Sequence, residues 1–178
     1  MLISARWIRL TCLALLLGAG VLPAAAQYRL PVTAEVRTVF ASDDDFLDYV
    51  AERSFAYFLS TQDPVTGLIP DRASNSNVCS IASVGFGLSS IAIAVERGWV
   101  TREEGRVRVL LTLQTLATLP QGAATSGVAG YRGWFYHFLD MRTGLRVWNS
   151  ELSTIDTALL MCGVLDCGLF FDDATDAD

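Results

Sequence analysis

Between residues 80 and 97 the chain offers a helix almost no polar face. Ile81, Ala82, Val84, Phe86, Leu88, Ile91, Ala92, Ile93, Ala94 and Val95 spread around every side of a 3.6-residue period, with Gly85 and Gly87 among them. A helix that is apolar all round is surrounded by protein, and its small residues let neighbours approach closely. Residues 153–171 repeat this character through Ile155, Ala158, Leu159, Leu160, Val164, Leu165 and Leu169.

Two other segments are amphipathic. In residues 43–60, Phe46, Leu47, Val50, Phe55, Phe58 and Leu59 fall at helical spacings, while Asp48, Glu52 and Arg53 fill the other side. In residues 101–119, Val107, Leu110, Leu111, Leu113, Leu116 and Ala117 make one stripe, with Arg102, Arg106 and Arg108 mainly off it. Local chemistry marks the ends. Ser42 precedes three aspartates that suit a positive helix start. Thr101 and Glu104 spell a capping box. Gly98 and Pro120 are stops.

The order is exposed, buried, exposed, buried. Two concentric layers of antiparallel helices produce that order, with the long polar loops 68–79 and 121–133 on one face, at the amino ends of the inner helices. Positive helix ends and polar loops on one face make a natural ligand site. Bulky side chains alternate over residues 134–139, Asp140 to Gly144 reads as a turn, and residues 145–148 return, which predicts a β-hairpin. The fold class is therefore all-α, about two helix pairs of an incomplete toroid with one short hairpin; two pairs cannot close a ring.

All 13 basic residues are arginine, against 19 acidic ones, and no basic stripe with interleaved aromatics appears. That balance argues against nucleic acid as a partner. The single histidine, His137, excludes a two-histidine metal centre. With no phosphate-binding glycine loop, serine elbow or ligand-spaced cluster either, no metal and no cofactor are expected. Residues 1–26 read as an export signal: Arg6 and Arg9 lead, an apolar run from Leu10 to Val21 follows, and Ala24, Ala25 and Ala26 offer the cleavage pattern. The mature chain is thus expected in the periplasm or outside the cell, with no stable membrane span. Residues 27–42 form a leader, 43–171 the folded domain and 172–178 an acidic tail. Cys79, Cys162 and Cys167 remain after cleavage, and the last two, five apart on a helix, point away from each other. Cys162 and Cys167 are read as small buried hydrophobes rather than as a disulfide.

Residues 130–160, GYRGWFYHFLDMRTGLRVWNSELSTIDTALL, resemble the glycoamylase-like domain family, as do residues 55–72 and 80–101. That family includes bacterial endo-β-1,2-glucanases and a domain of cyclic β-1,2-glucan synthases. The resemblance implies an (α/α)6 toroid, activity on β-glucan, and a family domain that continues past Asp178, so that the chain is its amino-terminal part and inactive alone.

Glycoside cleavage needs two carboxyl groups flanking the bond. Glu151, Asp156 and Asp140 are the candidates. Glu151 has no evident local task. Asp156 stands three residues after Ser153 and could equally complete a helix cap. Asp140 opens a D-x-x-T-G-L pattern that also begins at Asp63, so both could simply accept turn amides. Trp134, Tyr136 and Trp148 could stack on sugar rings or pack in the core. His137, Asn149 and Arg72, with Ser74 and Asn75, complete the candidate sugar-binding set. The alternatives to an enzyme are a non-catalytic glycan-binding remnant and a purely structural helical protein.

Overall fold

A computed structural model describes residues 36–172. The expected signal, residues 27–35 of the leader and residues 173–178 of the tail lie outside the described residues. Four helices are present among them: α1 (Asp43–Thr61), α2 (Ile81–Glu96), α3 (Arg102–Thr118) and α4 (Thr154–Phe170). Each starts where a side chain can cap it. Ser42 accepts the Asp45 amide, Ser80 that of Ser83, Thr101 that of Glu104 and Ser153 that of Asp156. The capping box at α3 is complete, since Glu104 reaches back to the Thr101 amide at 3.0 Å. No described helix is long and apolar enough to cross a membrane.

α2 is the hub. Gly85 lies so close to α4 that a methyl group there would stand 2.4 Å from the Leu159 carbonyl oxygen, and one at Gly163 would stand 2.2 Å from the Gly85 carbonyl oxygen. The two backbones are in contact, and Cys167 donates to Leu88 O at 3.2 Å in the same seam. Other sides of α2 meet Ile69 and Phe58 at Gly87, and α3 through Ile91 and Val95 against Gly105. The core joins Leu68, Cys79, Ile81, Val84, Leu88, Leu139 and Leu160. A smaller cluster of Phe55, Leu59, Ala94 and Val100 holds α1 to the end of α2.

The order of burial departs from expectation in one place. α2 buries nine residues against three for α1 and four for α3, but α4 also buries only four. Ile155, Met161, Leu165 and Leu169 of α4 stand exposed, as do Phe86 and Ile93 of α2. One side of each of these two helices is bare. Cys162 lies on that exposed side, whereas Cys79 and Cys167 are buried; all three are free thiols. On α3 the inward stripe is Gly105, Val109, Thr112 and Leu116, because Gln62 and the Gly67 carbonyl offer Thr112 partners inside.

A second, tighter hairpin that the sequence did not mark lies upstream of the expected one. β2 (Gly130–Tyr131) pairs with β3 (Trp134–Phe135) around Arg132 and Gly133, both at positive φ, 52° and 87°. That is the backbone a two-residue hairpin turn requires. β4 (Phe138–Asp140) pairs with β1 (Val78–Ser80), antiparallel, and on its other side meets the returning chain as expected: the Asp140 amide donates to Leu145 O at 2.8 Å and the Val147 amide to Phe138 O at 3.1 Å, around an antiparallel bridge from Leu139 to Arg146. The two D-x-x-T-G-L turns are built alike. Asp63 Oδ1 accepts the Val65 and Thr66 amides, and Asp140 Oδ1 accepts those of Arg142 and Thr143. They dock through a bond from Thr66 Oγ1 to Met141 O at 2.9 Å.

Candidate functional site

Residues 135–137 run between the amino ends of α2 and α4. The Ile81 amide at the start of α2 donates to His137 O at 3.1 Å, and the Ser153 amide before α4 donates to Phe135 O at 2.9 Å. Phe135 donates in turn to Thr157 Oγ1 in the first turn of α4 at 3.0 Å, and the His137 amide to Glu151 O at 2.9 Å. The loop chemistry therefore gathers at the positive ends of α2 and α4, where anionic groups are favoured.

This pinning brings three candidate residues together. His137 Nδ1 stands 2.8 Å from Glu151 Oε1, and Nε2 stands 3.7 Å from Asp156 Oδ2. Glu151 is mostly exposed, and its carboxyl lies below the usual range because its own backbone amide and then His137 favour the anion. An ionised carboxylate can only accept, so Nδ1 carries a proton. Asp156 is nearly buried and reciprocates the cap: its amide donates to Ser153 Oγ, and that hydroxyl donates to its Oδ2. The capping role and the approach to His137 are thus combined in one side chain.

His137, Glu151 and Asp156 each offer one ligand atom, all within 4.8 Å of one another. One imidazole and two carboxylates form a donor set that a divalent cation accepts. Their spacing in sequence gives no ligand pattern; only the fold makes the cluster. The hydrogen bonds above account for the arrangement without an ion.

A second feature adjoins it. The His137 ring stacks on Phe138, centroids 3.8 Å apart at 15°, and Phe138 meets Trp148 edge-on at 5.3 Å. Phe138 and Trp148 wall a groove of about 280 Å³ whose other side is Asp71, Arg72, Ser74 and Asn75. The β1–β4 pairing makes this groove, since it sets the loop before Val78 beside Phe138. Arg72, Ser74, Asn75 and Trp148 were legible as candidates; Asp71 and Phe138 were not. Asp71 sat next to an arginine with no spacing to mark it, and Phe138 read as one of several alternating aromatics.

The remaining candidates are dispersed. Trp134 is exposed on β3, and Asn149 is exposed beside Trp148. The Arg146 guanidinium lies 4.1 Å over the Tyr136 ring, so one face of that ring is covered by a cation. Asp140 Oδ1 is occupied by two turn amides and the Thr143 hydroxyl. Burial raises the Asp140 pKa, but the bonds from Thr143 and Arg142 outweigh it and hold the carboxyl low.

No protein-family profile matches the chain. It is 27% identical over 165 residues, 86% of its length, to an exo-β-1,2-glucooligosaccharide sophorohydrolase (non-reducing end) of Parabacteroides distasonis, and spans 22% of that protein. The structure resembles a β-1,2-glucanase from the same species with a TM-score of 0.67 at 27% identity, covering 78% of this chain and 20% of that one. A glucoamylase-like protein of Bacteroides uniformis aligns with a TM-score of 0.66 at 25% identity, covering 77% and 33%. The chain is thus similar to β-1,2-glucanases and glucoamylase-like proteins, and spans about a fifth of the length of the curated relative it matches.

Proposed function

We propose that this chain is part of the substrate-facing wall of an exported glycoside hydrolase acting on β-glucan, β-1,2-linked in the first instance, and that its helices are about two pairs of an (α/α)6 toroid. The observation that carries the reading is the Glu151–His137–Asp156 cluster at the amino ends of α2 and α4, in a chain similar to a β-1,2-glucooligosaccharide hydrolase. The sequence of residues 1–26 supports export.

The carboxyl groups divide the labour. A general acid needs a raised pKa, yet Asp45, Glu104, Asp140 and Glu151 are all lowered. Glu151 therefore takes a role for an ionised carboxylate: activating water, attacking the sugar carbon, or accepting its hydroxyls. His137 orients it through Nδ1. Asp156 is the second candidate. Acid and base must flank the scissile bond at about 5–9.5 Å, whereas Glu151 and Asp156 share one side of the site. The partner acid is assigned to a part of the hydrolase beyond this chain, and the chain alone is inactive. The same lowered values support a second reading, a non-catalytic glycan-binding piece.

The test compares residues 27–178 alone with a chimera in which the chain replaces its matching segment in the Parabacteroides sophorohydrolase. Release of sugar from β-1,2-glucooligosaccharides is expected from the chimera only, and Glu151→Gln is expected to lower it about 10²–10⁴-fold. A chimera indifferent to Glu151→Gln would leave the binding reading standing. Turnover by the short chain would refute inactivity alone.

A further inference from the structure

The backbone at Trp148 is unexplained by folding. Its φ is 55°, in the left-handed region that favours glycine, and the residue is 65% exposed. Left-handed φ is costly for a bulky L-residue, and an exposed indole gains little from burial. The sole ring contact is the Phe138 edge. A glycine or asparagine would make the same turn more cheaply.

The flanking residues enforce the conformation. The Val147 amide donates to Phe138 O at 3.1 Å. Ser150 is buried, and its hydroxyl reaches Phe138 O at 3.3 Å and Val147 O at 3.1 Å. Arg146 Nε holds Ser150 O at 2.8 Å. Strain that the surroundings over-determine marks functional positions, and here it presents an indole to solvent at the edge of a groove.

The opposite wall is polar and balanced in charge. Arg72 pairs with Asp71 at 2.6 Å, so cation and anion offset each other, and Ser74 and Asn75 add a hydroxyl and an amide. An aromatic platform facing neutral-sum donors and acceptors suits a ligand with an apolar C–H face and a rim of hydroxyls. With the two charges offset, the wall offers no net charge to hold an ionic ligand. The volume of about 280 Å³ lies just below that of drug-sized pockets, about 300–1,000 Å³, the scale of a sugar ring or two.

We propose that the groove between Trp148 and the Asp71–Arg72 pair is a pyranose subsite, in which a β-glucan ring stacks on the Trp148 indole and its hydroxyls bond to Asp71, Arg72 and Asn75. It rests on the glycan reading above, but it is separate from the Glu151 cluster, with Phe138 as the shared wall.

The test needs no turnover. A β-1,2-linked glucotriose is titrated calorimetrically into the full chain and its variants, and each is melted without ligand. Trp148→Gly is expected to raise Tm by about 2–4 °C and to weaken binding about tenfold or more. Trp148→Asn, which also tolerates left-handed φ, should behave alike, and Trp148→Phe should keep part of the affinity. Arg72→Ala should weaken binding without raising Tm. A fall in Tm for both Trp148→Gly and Trp148→Asn would show a structural tryptophan and overturn the proposal. Unchanged trisaccharide affinity in those variants would overturn it too, as would no binding by the wild-type chain. Failure of Glu151→Gln to affect the chimera leaves this binding experiment untouched, so the two readings fail separately.

Discussion

Adding one methyl group at Gly85 tests whether α2 and α4 are held by backbone contact. In Gly85→Ala the new carbon would sit 2.4 Å from Leu159 O and 2.6 Å from Leu160 Cα. Ordinary carbon contacts lie at about 3.5–4.0 Å, so the overlap is more than 1 Å, and it falls on backbone that cannot rotate away. The helices must separate, loosening Val84, Leu88, Leu160 and Cys167 together. Overpacking of this kind costs about 1–3 kcal/mol, and the high end applies because the obstacle is rigid. The helix-propensity gain of alanine over glycine returns about 1 kcal/mol. The net loss is about 2 kcal/mol, or about 4–8 °C in Tm for a domain of this size. Gly168→Ala is the control: it lies in α4 with nothing within 4 Å of the added methyl, so it should gain up to about 1 kcal/mol. Urea and thermal melts followed by circular dichroism measure both. If Gly85→Ala is as stable as Gly168→Ala, the two helices are not in backbone contact and the packing argument fails.

Thr112→Val should cost about 1–3 kcal/mol in the same melts, because Thr112 is fully buried, donates to Gly67 O at 2.8 Å and receives Gln62 Nε2 at 3.1 Å. Alkylation of the folded chain near pH 8 followed by peptide mapping should modify Cys162. Cys79 and Cys167, whose thiols burial pushes up to about 12, should react only after unfolding. Thermal stability should fall in acid below about pH 5. The depressed carboxyls of Asp45, Glu104, Asp140 and Glu151 stabilise the fold above their ordinary values of 3.8 (Asp) and 4.5 (Glu). That contribution is lost as pH falls through the lower folded values; a Tm that rises on acidification would contradict the sign.

What could be read from sequence was local. Helix starts rest on a cap and the residue three beyond it, so Ser42, Ser80, Thr101 and Ser153 announced all four helices. The two D-x-x-T-G-L turns were equally legible, because Asp63 and Asp140 bond amides two and three residues on. What failed was long-range. The return of residues 145–147 onto Phe138–Asp140 was legible from the turn between them, but nothing in Val78, Cys79 and Ser80 announces that they pair with the other edge of Phe138–Asp140. The α3 stripe shifted because Thr112, polar by type, finds partners inside. The site divides the same way. Glu151, Asp156 and His137 were named one by one, but their meeting depends on bonds between residues 135–137 and the starts of two helices.

The α2–α4 seam also sets a schedule. Cys167 bonds to Leu88 across 79 residues of chain. At about 5–20 residues per second, a ribosome needs about 4–16 s to make that stretch. Throughout that interval the most apolar of the described helices exists without the backbone that fits against Gly85. The loop that must close around α3 is long, so pairing comes late. The nascent chain is therefore most exposed to aggregation in the window between the emergence of α2 and that of α4.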